Sequence, residues 1–191
     1  EKQSEFIKTI EKQIGTQNII AEDLGYITDD VIELLNYTNY PGMKILQFAF
    51  YEEDSIMLPR MFNTENIVVY TSTHDSDCSL SWINNLDKET KERFENECLS
   101  KTSYTSVYAL IYLALSSIAN LSIIPIQDYL MFDNEEGRIN KPSTSYDNWT
   151  FKLDIDNINE TLKNKVKAFK EICLKYQKSN NVRKQRKAGF K

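Results

Sequence analysis

Glycine and proline are scarce in this chain, 5 and 4 residues of 191. That excludes fibrous and linker-type architectures, which need both in quantity. No glycine-rich phosphate turn is present, so a nucleotide-binding fold has no support. Cysteine is limited to Cys78, Cys98 and Cys173, widely separated and odd in number. Reduced thiols in a cytoplasmic protein are expected from this, and not a disulfide framework or a zinc site. His74 is the single histidine and no acidic loop of the EF-hand kind occurs, so neither a metal nor a cofactor is expected. A net charge of -5 argues against nucleic acid as a partner, because phosphate contacts need clustered Lys and Arg. The most apolar stretch, 104–119, is interrupted by Ser and Tyr and falls short of the roughly 20 residues of a membrane span, so a buried core helix is expected there. The first residues lack both a secretory pattern and a Met. Helical periodicity is already running at Phe6, Ile7, Ile10 and Ile14, so the chain is expected to begin inside a larger unit.

What remains is a packed globular sequence, 41% hydrophobic and 12% aromatic. The pattern predicts helices over 4–14, 28–39, 104–119 and 157–176, the last with Ile158, Leu162, Val166, Phe169, Ile172 and Tyr176 on one stripe, and the charged stretch 87–98 reads as a surface helix. Thr28 is the expected N-cap of the second helix, and Pro41 ends it. Apolar runs over 18–22, 44–50, 67–71 and 123–126 predict four buried strands. Residues 133–149 read as a polar loop, and the basic stretch 179–191 as a disordered tail. Helices alternating with strands, without a hairpin signal, imply a parallel sheet.

The polar residues fall at one end of that sheet. Ile19-Ile20-Ala21 leads into Glu22 and Asp23, the second strand into Glu52, and the third into His74 and Asp75. In parallel α/β folds the loops after the strands' carboxyl ends build ligand sites. An isolated Glu22-Asp23 pair would serve equally well as the cap of the next helix. The repetition of acids at later strand ends favours a site.

Four segments in register carry a resemblance: Ile20-Ala21-Glu22-Asp23-Leu24-Gly25; Pro41-Gly42-Met43-Lys44-Ile45-Leu46-Gln47-Phe48; Tyr70-Thr71-Ser72-Thr73-His74-Asp75-Ser76-Asp77; and Arg138-Ile139-Asn140-Lys141-Pro142 with Asn148-Trp149. The chain resembles the amylomaltases, or 4-α-glucanotransferases, from about residue 1 to about 175. The resemblance implies an α/β fold, the second half (about four βα units) of a (β/α)8 TIM barrel over residues 1–178, with a carboxyl-terminal amphipathic helix. It implies Glu22 as general acid/base and Asp75 as the third acid that stabilises the transition state. His74, Asp23, Glu52 and Asn140 are the implied sugar contacts, with a maltooligosaccharide or α-glucan as substrate. A retaining mechanism requires Glu22 to be protonated at the first step, which asks for partial burial beside other acids. Trp82, Trp149 and the tyrosines are candidate stacking surfaces, with ordinary packing the better reading for Trp82.

The family's nucleophile, an aspartate in an Arg-x-Asp-His-like stretch, does not occur among the 191 residues. The isolated chain is therefore expected to be inactive without the amino-terminal half of the barrel. The alternative is an inactive half-barrel that serves only as a sugar-contacting or assembly module. An unrelated α/β hydrolase is disfavoured because its Gly-x-Ser-x-Gly elbow is absent. Ser72, Ser76 and Ser143 stand where the family usually has Gly, Asn and Gly, and 131–134 replaces a Gly-containing loop.

Overall fold

The computed structural model describes the backbone of residues 2–15 and 19–188, with side chains over 5–15 and 19–176. The elements run α1 (Lys2–Ile14), α2 (Asp29–Thr38), β1 (Gly42–Ile45), β2 (Ile67–Tyr70), α3 (Ser79–Asn84), α4 (Lys88–Leu99), α5 (Ser106–Ser116), β3 (Leu121–Ile123), α6 (Ile126–Leu130), α7 (Asn134–Gly137) and α8 (Glu160–Ala188). Short 3-10 turns follow β1 at Leu46–Phe48 and lie at Pro59–Met61 and Ile155–Asn157. The sheet is parallel throughout, in the order β1-β2-β3.

Three strands form where four were expected. Asn18 lies outside the described residues, and residues 19–24 run extended beside β1 without joining its ladder. One backbone bond links them, from Ala21 N–H to the Pro41 carbonyl at 2.9 Å. The reason lies in Asp23, whose carboxylate accepts the Met43 N–H at 2.6 Å. A short polar side chain thus takes a donor that a continuing ladder would have used. Gly42 makes this close approach possible, because a Cβ there would sit 2.5 Å from the Asp23 carboxylate. The second strand also ends earlier than 44–50, passing into a 3-10 turn at Leu46. Thr28 occupies the N-cap position of α2, but its hydroxyl is turned to the Asp30 carboxylate instead of a backbone amide.

The two faces of the sheet differ. Val69 and Ser122 are register partners facing the helices. Val69 packs in a core built from α3, α4 and α5 with Phe50 and Phe169, and Ser122 donates to the Ala114 carbonyl of α5 at 3.1 Å. Within that core Phe50 meets Phe94 edge-on at 5.1 Å and Trp82 at 5.8 Å, so Trp82 is a packing residue. α5 is buried nearly all round, as its composition predicts. α8 lies against it through Phe169, which touches Tyr104, Tyr108 and Tyr129, and through a 2.7 Å bond between Tyr112 and Tyr176. The helical backbone of α8 continues to Ala188, into the stretch expected to be a disordered tail.

The opposite face carries Met43, Val68 and Leu121 in one row and Ile45, Tyr70 and Ile123 in the next. Leu121 and Ile123 are 46% and 37% exposed, and Ile20 beside them is exposed as well. No helix among the described residues is long and apolar enough to cross a membrane.

Candidate active site

A cleft of about 670 Å³ opens over the carboxyl ends of all three strands, floored by Met43, Ile45, Tyr70 and Ile123. Glu22 reaches it from the extended segment, where Gly25 (φ +81°) then turns the chain away. Only glycine takes that conformation at no steric cost. Burial raises the pKa of the Tyr70 hydroxyl, and the neighbouring Glu22 charge adds to the shift. Glu22 and Tyr70, at the end of β2, line the same cleft. The Glu22 side chain is exposed, so the described residues do not bury it.

β2 delivers the second group. Its continuation, Thr71 and Ser72, is buried, and Thr71 donates to the carboxylate of Asp128 on α6. Burial pushes the Asp128 carboxyl above its usual range, with the Thr71 and Ser79 bonds partly offsetting the rise. That anchor holds the strand end against α6. A turn follows, closed by Ser76 N–H to the Thr73 carbonyl at 3.1 Å and by Thr73 N–H to Ser76 Oγ at 3.2 Å. Its tip presents His74 and Asp75, 48% and 50% exposed, with His74 Nε2 3.2 Å from Asp75 Oδ1.

The third wall is the segment after α7. A capping box starts this helix, with Asp133 accepting the Glu135 and Glu136 amides at 2.9 and 3.1 Å. Gly137 lets the chain pass close to Cys78 and Gln127, where a Cβ would meet the Gln127 side chain at 2.8 Å. Asn140 then donates from Nδ2 to Asp75 Oδ1 at 2.6 Å and from its backbone to the His74 carbonyl at 3.1 Å. Trp149 returns over the tip, its ring 5.1 Å from the His74 ring and 36° inclined to it. At 66% exposure its face is open to a ligand.

Of the residues singled out by sequence, Glu22, His74 and Asp75 line this cleft, and Asn140 is bonded to Asp75 at its rim. Asp23 does not enter it, since its carboxylate is engaged with the Met43 amide behind the strand. Glu52 lies apart, on a depression shared with Arg60, Arg93 and other acids near α4. Sequence reasoning passed over Asp77 and Arg138, which form an ion pair beneath the His74-Asp75 tip. Both stood inside the quoted segments, but nothing in their spacing showed that they would meet. Three carboxylates (Glu22, Asp75 and Asp77) and Arg138, which is paired with Asp77, line the cleft, a setting for binding polyhydroxylated or partly cationic species and for moving a proton. No group of three potential ligands capable of holding a metal ion occurs among the described residues.

Comparison with known proteins agrees on one family. A family model described as 4-alpha-glucanotransferase matches residues 1–159. A 4-alpha-glucanotransferase of Streptococcus pneumoniae is 41% identical over 150 residues, covering 78% of this chain and 30% of that protein. One from Clostridium butyricum is 40% identical over 159 residues, covering 82% of this chain and 32% of that protein. The structure of an amylomaltase from Streptococcus agalactiae in complex with acarbose superposes with a TM-score of 0.80 at 32% identity, over 91% of this chain and 34% of that one. The chain thus spans about a third of the length of the relatives it matches. With the family model matching residues 1–159 of 191, the chain belongs to the 4-alpha-glucanotransferase family.

Proposed function

We propose that this chain supplies the acid/base wall of a glucan-transferring site, carried on the second half of a (β/α)8 barrel. In-sequence neighbours β1-β2-β3, all parallel, follow the order of a barrel wall, whereas a doubly wound sheet reverses its order at a switch point. Residues 19–24 lie where the preceding strand of such a wall would stand. The observation that carries the reading is the convergence of Glu22 with the Asp75-His74-Asn140 cluster on one cleft at the strands' carboxyl ends.

In this reading Glu22 protonates the leaving glycosidic oxygen and later takes the proton from the acceptor hydroxyl. Asp75 has one oxygen committed to Asn140 and His74, and its other oxygen accepts from hydroxyls of the distorted sugar. His74 and Asn140 contact the same glucose unit, while Trp149 offers a stacking face to an acceptor sugar. Asp23 acts indirectly, by clamping the Glu22 segment to β1. A retaining site needs a nucleophile about 5–5.5 Å from the acid/base. It would come from residues other than these 191, on the part of the barrel that also covers the exposed Glu22 and the open sheet face.

The test is Glu22→Gln in the complete transferase that carries this chain. Conversion of maltotriose to glucose and longer maltodextrins should fall by about 10²–10⁴-fold with the fold intact. Retained transfer removes Glu22 from the role. The 191-residue chain alone should show no conversion.

A further inference from the structure

Asp75 sits on an exposed turn, where a carboxylate is ordinarily free to change rotamer. Here one of its oxygens is held by Asn140 Nδ2 at 2.6 Å, so its direction depends on where Asn140 lies. Asn140 belongs to irregular chain after α7, and no strand or helix fixes it. Its N–H donates to the His74 carbonyl at 3.1 Å, and its carbonyl is held by Arg138. The Arg138 Nε donates to that Asn140 carbonyl at 3.1 Å while Nη1 pairs with the Asp77 carboxylate.

Asp77 is itself anchored by hydrogen bonds. The same carboxylate oxygen accepts from Asn134 Nδ2 at 2.9 Å, and its backbone carbonyl accepts from the buried Gln47 side chain at 2.9 Å. Cys78 N–H, one residue on, donates to Asn134 Oδ1 at 2.8 Å. The guanidinium therefore bridges an anchored loop and the peptide that carries Asn140. It is also the one guanidinium among the described residues lining the cleft, beside the carboxylates of Asp75 and Asp77. Two donors in a rigid fork are needed to hold a carboxylate and a carbonyl at once, and a lysine has only a point charge to offer.

We propose that Arg138 is the positioning residue of the site: through Asn140 it sets the orientation of Asp75 and keeps His74 seated under Trp149. The inference rests on the assignment of Asp75 to transition-state stabilisation, but its geometry can be tested without any turnover.

His74 is the single histidine of the chain, so its ring protons give isolated resonances in the intact 191-residue protein. The Trp149 ring, 5.1 Å away, displaces them by its ring current. Arg138→Gln should return these resonances toward the position of a free histidine, and Arg138→Lys should move them part of the way. Unchanged resonances in a folded Arg138→Gln protein overturn the proposal. Should Arg138→Gln not fold, the lysine variant decides: an unshifted spectrum refutes the positioning role and a partial shift supports it. In the complete transferase the same Arg138→Gln change should lower kcat by about 10²-fold with KM little altered, the mark of a misplaced group. A change in KM alone would count against it. Loss of the ring-current signal without loss of kcat would uphold the geometry and overturn the role of Asp75, which separates the two readings.

Discussion

The two faces of the sheet share the same strands and have opposite fates. Toward the helices, Val69 and its neighbours disappear into a core with Phe50, Trp82, Phe94, Leu110 and Phe169. Toward the cleft, Ile20, Leu121 and Ile123 keep more than a third of their surface in contact with solvent. The polar groups of the candidate site all stand over this second face. That face is apolar and only partly covered, since Met43, Ile45 and Val68 are buried while Ile20, Leu121 and Ile123 are not, which fits the proposed reading of it as the inner wall of a larger enclosure. The closed face supplies stability, and the open one carries the candidate site.

The largest expected effect comes from breaking the closed side. Phe50 is fully buried between Phe94 and Trp82, and Phe50→Ala should cost about 3–5 kcal/mol in a denaturant titration. Ile123, on the open side, is 37% exposed already, so Ile123→Ala should cost less, about 1–2 kcal/mol. Equal losses at the two positions would erase the distinction between the faces. A second experiment addresses what the open face does when nothing covers it. Apolar surface beside the unpaired outer edge of β3 should drive the isolated chain to self-associate in sedimentation runs at rising concentration. Leu121→Lys should weaken that association by roughly tenfold or more, since it places a charge on the patch. A wild-type chain that stays a compact monomer would remove the half-enclosure from consideration.

This contrast also explains what could be read from the sequence. Apolar patterning located β2, α5 and α8 because their burial is decided within the chain, by α5 packed on the sheet and α8 packed on α5. It misled at residues 19–22, whose apolar run has the composition of a buried strand but lies on an open edge. There a single side chain, Asp23, outcompeted the ladder. The short helices α3, α6 and α7 carry too few turns to show a period, and the Asp133-to-Glu136 capping box lay unread inside the stretch expected to be a polar loop. At the site, Glu22, His74 and Asp75 were visible as strand-end residues. The Asp77–Arg138 pair was not, since 61 residues separate its members and only the fold brings them together. Asp23 and Glu52 also stand at strand ends, yet neither lines this cleft: one bonds the Met43 amide and the other lies toward α4.

The smallest expected effect sharpens the comparison at two backbone positions. Ser143 (φ +68°) and Met131 (φ +62°) both adopt the left-handed conformation that side chains disfavour. The resemblance noted above places glycine at or near both. Relief of that strain contributes about 1–2 kcal/mol, whereas glycine's freedom in the unfolded chain takes back about 0.4–1 kcal/mol. Ser143 is on the site's surface loop, which Asn148 brackets by accepting the Lys141 amide at 2.8 Å and donating to the Thr144 carbonyl at 3.0 Å. Its own side chain has no hydrogen-bond partner among the described residues, so Ser143→Gly should raise stability slightly, by up to about 1 kcal/mol. Met131 ends α6 and packs against the buried core, so Met131→Gly loses apolar burial together with the strain. Removing a mostly buried methionine side chain costs about 1.5–3 kcal/mol, which exceeds the relief. Thermal melts of the two variants should therefore move in opposite directions, upward at 143 and downward at 131. If both rise, packing on the closed side is weaker than the burial of Met131 implies, and backbone strain outweighs side-chain packing even where a helix end meets the core.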